Sequence, residues 1–232
     1  SVLRGMPITT LDVRNTKVTD LITIKNLPLV SLDISGTSIR DTSLLSQVPL
    51  EYLDLSDTRI FDCRPLTKLK LKHLKISGTQ IKDVSFAKDI ASLELFAFER
   101  TNVSDIKALE KTGIVSLYMG ETRVTDISPL AGSAVKRLSI YKCKISDLAA
   151  LKELELEELN ISGTDVTDLK QLIGVSVKHL EIRETKIKDY SPLLEMKVTS
   201  IVVDDDNTKI RSFLRRMPAL ERINWGDKEK WF

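Results

Sequence analysis

The chain has 232 residues and a mass of 26.1 kDa, enough for a substantial core and, by length alone, for one or two domains. Hydrophobic residues make up 42% but aromatic residues only 5%, so burial must be mostly aliphatic, drawn from 33 Leu and 21 Ile. The 35 basic and 33 acidic side chains leave a net charge of +2, which excludes a strongly basic nucleic-acid grip or an acidic solvating tail as a bulk property. No run approaches the roughly 18 consecutive apolar residues of a membrane span, and no basic-then-apolar leader opens the chain.

From Ile8 onward one pattern returns, L-x-x-L-x-[LI]-x-x-T-x-[IV], clearest in SLDISGTSI (31–39), YLDLSDTRI (52–60), HLKISGTQI (73–81) and ELNISGTDV (158–166). Copies start at Ile8, Leu29, Leu50, Leu71, Leu93, Ile114, Val135, Leu156, Val177 and Val198. The interval is 21 residues except for one of 22 between Leu71 and Leu93, where Ile90 offers a competing start. A fixed period of this length marks stacked supersecondary units. The alternation within each copy predicts a short strand with two apolar side chains on one face, such as Leu32 and Ile34, and Ser31, Asp33 and Ser35 on the other. After each strand a Thr recurs, at 16, 37, 58, 79, 101, 122, 164 and 185, with Cys143 and Asp206 breaking the column. The remaining half of each copy is short. Asp followed three residues later by Pro, as in Asp62–Pro65, Asp126–Pro129 and Asp189–Pro192, suits a capped 3₁₀ or single α-turn. After Asp204-Asp205-Asp206, the helical spacing of Phe213, Leu214, Met217 and Leu220 predicts a longer helix within a terminal cap over 207–232.

These residues resemble the leucine-rich repeat over roughly residues 3–226. The short coil is similar to the internalin type, with Thr where that family carries a ladder Asn. The resemblance implies an α/β fold: a leucine-rich-repeat solenoid with a concave parallel β-sheet and short 3₁₀ or α turns on the convex side. We read residues 1–232 as a single domain, without linker or low-complexity tract. The M-P-L joints, S-G-T turns and D-x-S-P-L segments further resemble repeat proteins of planctomycete- and lentisphaera-type bacteria, many of them associated with a protein kinase. No kinase motif occurs here. Leu3-Arg-Gly-Met-Pro7 reads like the end of a preceding coil, so the first coil is expected to stack on more protein upstream.

Catalytic chemistry finds little support. His73 and His179 occupy equivalent positions five coils apart, roughly 24 Å at the spacing of parallel strands, too far to share a metal. Cys63 and Cys143 lie about four coils apart, beyond disulfide reach, and are expected to be free thiols. Asp204–Asp206 lacks the spaced ligands of a calcium loop. No phosphate loop or dinucleotide fingerprint occurs, and no cofactor or metal site is expected.

Function is therefore sought on the outward strand positions, whose identity the repeat leaves open. Asp12, Asp33 and Asp54 would stack as an acidic row; this hints at a basic partner, or reflects S-L-D repeat filler. Tyr52, His73, Lys75, Leu95, Glu99, Tyr118, Arg137 and Tyr141 form the candidate partner-binding set. Tyr and Arg are favoured interface anchors, although strands favour aromatics in any case. Leu95 beside Ala97 would add an apolar spot. The expected function is a non-enzymatic module binding a protein or peptide on the concave sheet, with neither nucleic acid nor membrane insertion. The alternatives are a structural or sensor arm of a bacterial kinase-type signalling protein and a surface adhesin. The compartment, cytoplasm or bacterial surface, stays open.

Overall fold

The computed structural model describes residues 5–232, so the joint expected at Leu3–Pro7 lies partly outside the described residues. The chain divides into two compact units, Ser1–Ile114 and Val115–Phe232. In the first, β1 (Thr10–Asp12), β2 (Ser31–Asp33), β3 (Tyr52–Asp54), β4 (His73–Lys75) and β5 (Leu95–Ala97) pair in parallel, each with the next in the chain. In the second, β6 (Ser116–Tyr118), β7 (Arg137–Ser139), β8 (Glu158–Asn160), β9 (His179–Glu181) and β10 (Ser200–Val202) do the same. The second unit closes with α1 (Thr208–Arg216), β11 (Arg222–Ile223) parallel to β10, β12 (Gly226–Asp227) antiparallel to β11, and α2 (Lys228–Trp231). The predicted cap helix is α1, but it ends at Arg216: Met217 caps it and Leu220 lies beyond it, both buried, while Phe213 is half-buried and Ile210 and Leu214 form the buried side of the helix. Asn207 accepts a hydrogen bond from the Ile210 N–H at its start.

Each of β1 to β10 is three residues long because only its central side chain and the apolar residue two places on face inward. Leu32, Leu53, Leu74 and Phe96 in the first unit, and Leu117, Leu138, Leu159, Leu180 and Ile201 in the second, are all at most 2% exposed. Burying one such side chain stabilises by about 1.5–3 kcal/mol. The register is that of the template: Tyr52 lies opposite His73 and His73 opposite Leu95. Leu93 is thus the true start, and Ile90 ends the preceding turn, its carbonyl accepting from the Leu93 N–H. The extra residue falls in the joint Ala91–Ser92, where the Ser92 hydroxyl donates to the Leu71 carbonyl.

In the second to ninth coils the returning half is a 3₁₀ turn, for example Ser43–Gln47, Arg64–Lys68 and Ser85–Asp89 in the first unit and Ser128–Leu130 and Ser191–Glu195 in the second. The predicted Asp caps are present. Asp41, Asp62, Asp83, Asp126 and Asp189 each accept from the backbone N–H two residues on, at 2.7–2.9 Å. Hydrogen bonds from Ser128 and Ser191 hold the carboxyls of Asp126 and Asp189 below the usual carboxylate range. A 3₁₀ turn leaves its first N–H groups without an internal partner, and these carboxylates supply one.

The Thr column acts within coils. Each hydroxyl donates to the carbonyl three residues back in its own coil, at 2.6 Å in Thr58, Thr79 and Thr164, which closes the turn after the strand. The coil-to-coil bond in this column comes instead from Cys143, whose thiol donates to the Met119 carbonyl at 3.2 Å and lies 3.3 Å from the Thr122 hydroxyl. Both cysteines are free and buried. Burial pushes the Cys63 thiol up to about 12, so it is inert as a nucleophile.

Next to the Thr column runs a column of left-handed residues: Asn15, Gly36, Asp57, Gly78, Arg100, Glu121, Lys142, Gly163 and Glu184, with φ between +53° and +68°. A non-glycine residue there is strained by roughly 1–2 kcal/mol. The conformation is held because the N–H bonds the next coil, as in Asp57 to the Ser77 carbonyl and Glu121 to the Tyr141 carbonyl. Glu121→Gly is therefore expected to stabilise the chain by about 0.5 kcal/mol, strain relief outweighing the extra freedom of an unfolded glycine. Glu121→Ala, equally strained, should leave the melting temperature unchanged, and thermal melts of the two variants separate the cases.

Candidate partner-binding face

The outward strand positions lie where the alternation predicts, and each unit presents its own set. In the first, Tyr52 is exposed and meets the His73 ring edge-on, with centroids 4.7 Å apart. Lys75 reaches Asp54 at 3.7 Å. Leu95 is half-buried, but Ala97 is only 5% exposed, so the apolar spot expected there reduces to Leu95. Lys75 is the strand partner of Ala97, and a single methyl does not stand clear of that longer side chain. Glu99 is half-buried, its N–H bonded to the Ser77 hydroxyl.

The acidic row forms, with Asp12 opposite Asp33 and Asp33 opposite Asp54. Each carboxylate accepts from the N–H two residues on, which ties it into its own turn. Cations flank the row: Arg14 lies 3.0 Å from Asp12 and 3.9 Å from Asp33, and Lys75 meets Asp54. Like-charge repulsion between adjacent strands is offset in this way.

In the second unit, Tyr118 and Tyr141 are half-buried on the strand face. The Tyr141 ring lies flat over Gly120: a Cβ built there would fall 2.0 Å from Cδ1 and 2.1 Å from Cε1. Arg137 is braced, its Nε donating to the Ser116 hydroxyl at 2.8 Å and its Nη1 to Glu157 at 3.2 Å. Beside Tyr118 a hollow of about 110 Å³ opens over Leu138 and Leu159, walled by His179, Glu158 and Glu181. His179 stacks on Trp225 at 4.9 Å and lies 3.2 Å from Glu181. His179 thus takes part in a polar cluster that strand position alone did not suggest. Among the described residues, no group of three or more His, Cys, Asp or Glu is placed to hold a metal ion, and no helix is long and apolar enough to cross a membrane.

Sequence reasoning passed over Phe61. It is 67% exposed beside a groove of about 470 Å³ lined in part by Arg64, Ile81 and Phe86, on the turn side of the first unit. A signal was present: the residue preceding the capping Asp is polar in the other coils, as in Arg40, Lys82, Ser104, Thr125 and Lys188.

No protein-family model matches the chain, and no curated protein matches it. Solved structures do. Internalin F of Listeria monocytogenes is 24% identical over 94% of this chain and 67% of its own, with a TM-score of 0.78. Internalin C2 of the same species is 24% identical over 85% of this chain and 81% of its own, at 0.57. A repeat protein of Leptospira interrogans is 17% identical over 92% of this chain and 54% of its own, at 0.69. At these identities the likeness is one of fold, and none of the three bears on the kinase association.

Proposed function

We propose, from the premise that the chain has a leucine-rich-repeat fold, that it is a non-enzymatic module binding a protein or peptide on its strand-side face. One observation carries this reading. Inward positions stay apolar from coil to coil, whereas outward positions change and present Tyr118 on the strand next to a braced Arg137. A side chain already held by its neighbours loses little freedom on binding, so Arg137 is pre-organised as an anchor. Tyr141, pressed on Gly120, extends the same patch. In the first unit Tyr52, His73, Lys75, Leu95 and Glu99 offer the corresponding positions, and the row Asp12, Asp33 and Asp54 lies on the same face.

Tyr118→Ala and Arg137→Ala are each expected to weaken a partner captured from the source proteome by about tenfold or more, the scale of an interface anchor. Thermal melts should show both variants folded, since neither side chain belongs to the buried core. Unchanged affinity in both variants would overturn the assignment of this face.

A further inference from the structure

We infer that the hollow on the strand face of the second unit receives the guanidinium of a partner's arginine, an inference that rests on the binding reading above. Several carboxylates near the strands are matched by fixed cations: Asp12 and Asp33 by Arg14, Glu51 by Lys72, Asp54 by Lys75 and Glu157 by Arg137. The two that border the hollow are not. The Glu158 carboxylate forms no ion pair or hydrogen bond among the described residues, although Arg137 is its strand partner, because Arg137 is turned to Ser116 and Glu157. Glu181 accepts from Asn160 Nδ2 at 3.0 Å on one oxygen and faces His179 Nε2 at 3.2 Å on the other. Each oxygen keeps a second lone pair. Two carboxylates without a Lys or Arg thus border one recess.

The rest of the recess suits a flat, weakly hydrated cation. The floor is the buried pair Leu138 and Leu159, and one wall is the Tyr118 ring. A guanidinium stacks on such a ring while forking to a carboxylate, whereas the more strongly hydrated ammonium of lysine must shed more water to enter. The volume of about 110 Å³ admits the end of one side chain, not a ligand needing the roughly 300–1,000 Å³ of a small-molecule site. Elsewhere the charges specify no occupant. The groove beside Phe61 balances Asp62 and Asp83 with Arg64 and Lys82. Arg211 and Arg215 of α1 already lie over the rings of Trp231 and Phe232.

The test begins with a random phage-displayed peptide library selected on the full chain. Binders are synthesised and their affinities measured by fluorescence anisotropy against the unsubstituted chain, Glu158→Gln and Tyr118→Ala. The selected peptides are expected to share an arginine. Replacing it with citrulline, which keeps the shape and removes the charge, should weaken binding about tenfold, and replacement with lysine somewhat less. Glu158→Gln should cause a similar loss, with little added when combined with the citrulline peptide. Glu158 is exposed and its carboxylate makes no bond that the fold needs, so the variant is expected to fold. Peptides that lose affinity with Tyr118→Ala yet tolerate both citrulline and Glu158→Gln would overturn the arginine assignment and leave the binding face standing. Peptides indifferent to all three changes, or failure to select any, would overturn both.

Discussion

Phe96→Ala is expected to lower the stability of the chain by about 3–5 kcal/mol, the range for deleting a buried aromatic ring. Phe96 sits at the centre of β5, fully buried, where β2, β3 and β4 carry Leu32, Leu53 and Leu74. Its ring meets Phe98 at 4.9 Å and stands edge-on to Phe86 at 6.1 Å, so half of the chain's six Phe residues pack as one cluster. Removing the central ring strips the other two of a partner and opens a void that stacked coils fill poorly, because backbone bonds to β4 set the strand spacing. Phe96→Leu restores the residue type of the neighbouring coils and should recover more than half of the loss. Urea denaturation supplies the measurement. A loss below about 1 kcal/mol for the alanine variant would contradict this packing. A fall in the slope of the transition would show that the affected coils unfold separately, as contacts limited to neighbours allow.

Gly120→Ala is expected to cost about 1–3 kcal/mol and to displace the Tyr141 ring. The added methyl would lie 2.0–2.7 Å from three ring atoms, against the roughly 3.5–4.0 Å of an ordinary carbon contact. Backbone strain is not the cause, since Gly120, unlike Gly36, Gly78 and Gly163, does not have a positive φ. The cost should therefore depend on Tyr141. In the double variant with Tyr141→Ala the alanine at 120 should add almost nothing, a coupling of 1 kcal/mol or more in the double-mutant cycle. Additive losses would refute the contact. The same variant should weaken partner binding, because the ring it moves belongs to the proposed patch.

The parts legible in the sequence were those that every coil repeats. Apolar alternation located β1 to β10, the Asp-x-x-Pro spacing located capped turns, and helical spacing after Asp206 located α1 though not its end at Arg216. Even the irregular fifth coil took the register of Leu93, because Phe96 and Phe98 fill the same inward positions as Leu74 and Ile76. What stayed hidden depends on how side chains of neighbouring coils meet. Nothing in the letters Asp57, Glu121 or Lys142 announces a left-handed backbone, which bonds to the next coil hold in place. Cys143 reads as a gap in a Thr column, yet it carries that column's bond between coils. The Tyr141–Gly120 contact and the recess by Glu158 arise between adjacent strands, so no single copy of the repeat contains them.

The surplus residue at Ala91–Ser92 has a consequence for how such a chain changes over generations. It occupies the joint between a 3₁₀ turn and the next strand, and the strand beyond it pairs as though nothing had been added. An insertion inside a strand would flip every following side chain from core to solvent; at this joint it lengthens one loop and leaves the inward columns aligned. Natural drift in length should therefore accumulate at these joints, and the variable outward positions can diversify without the coils losing their common pitch.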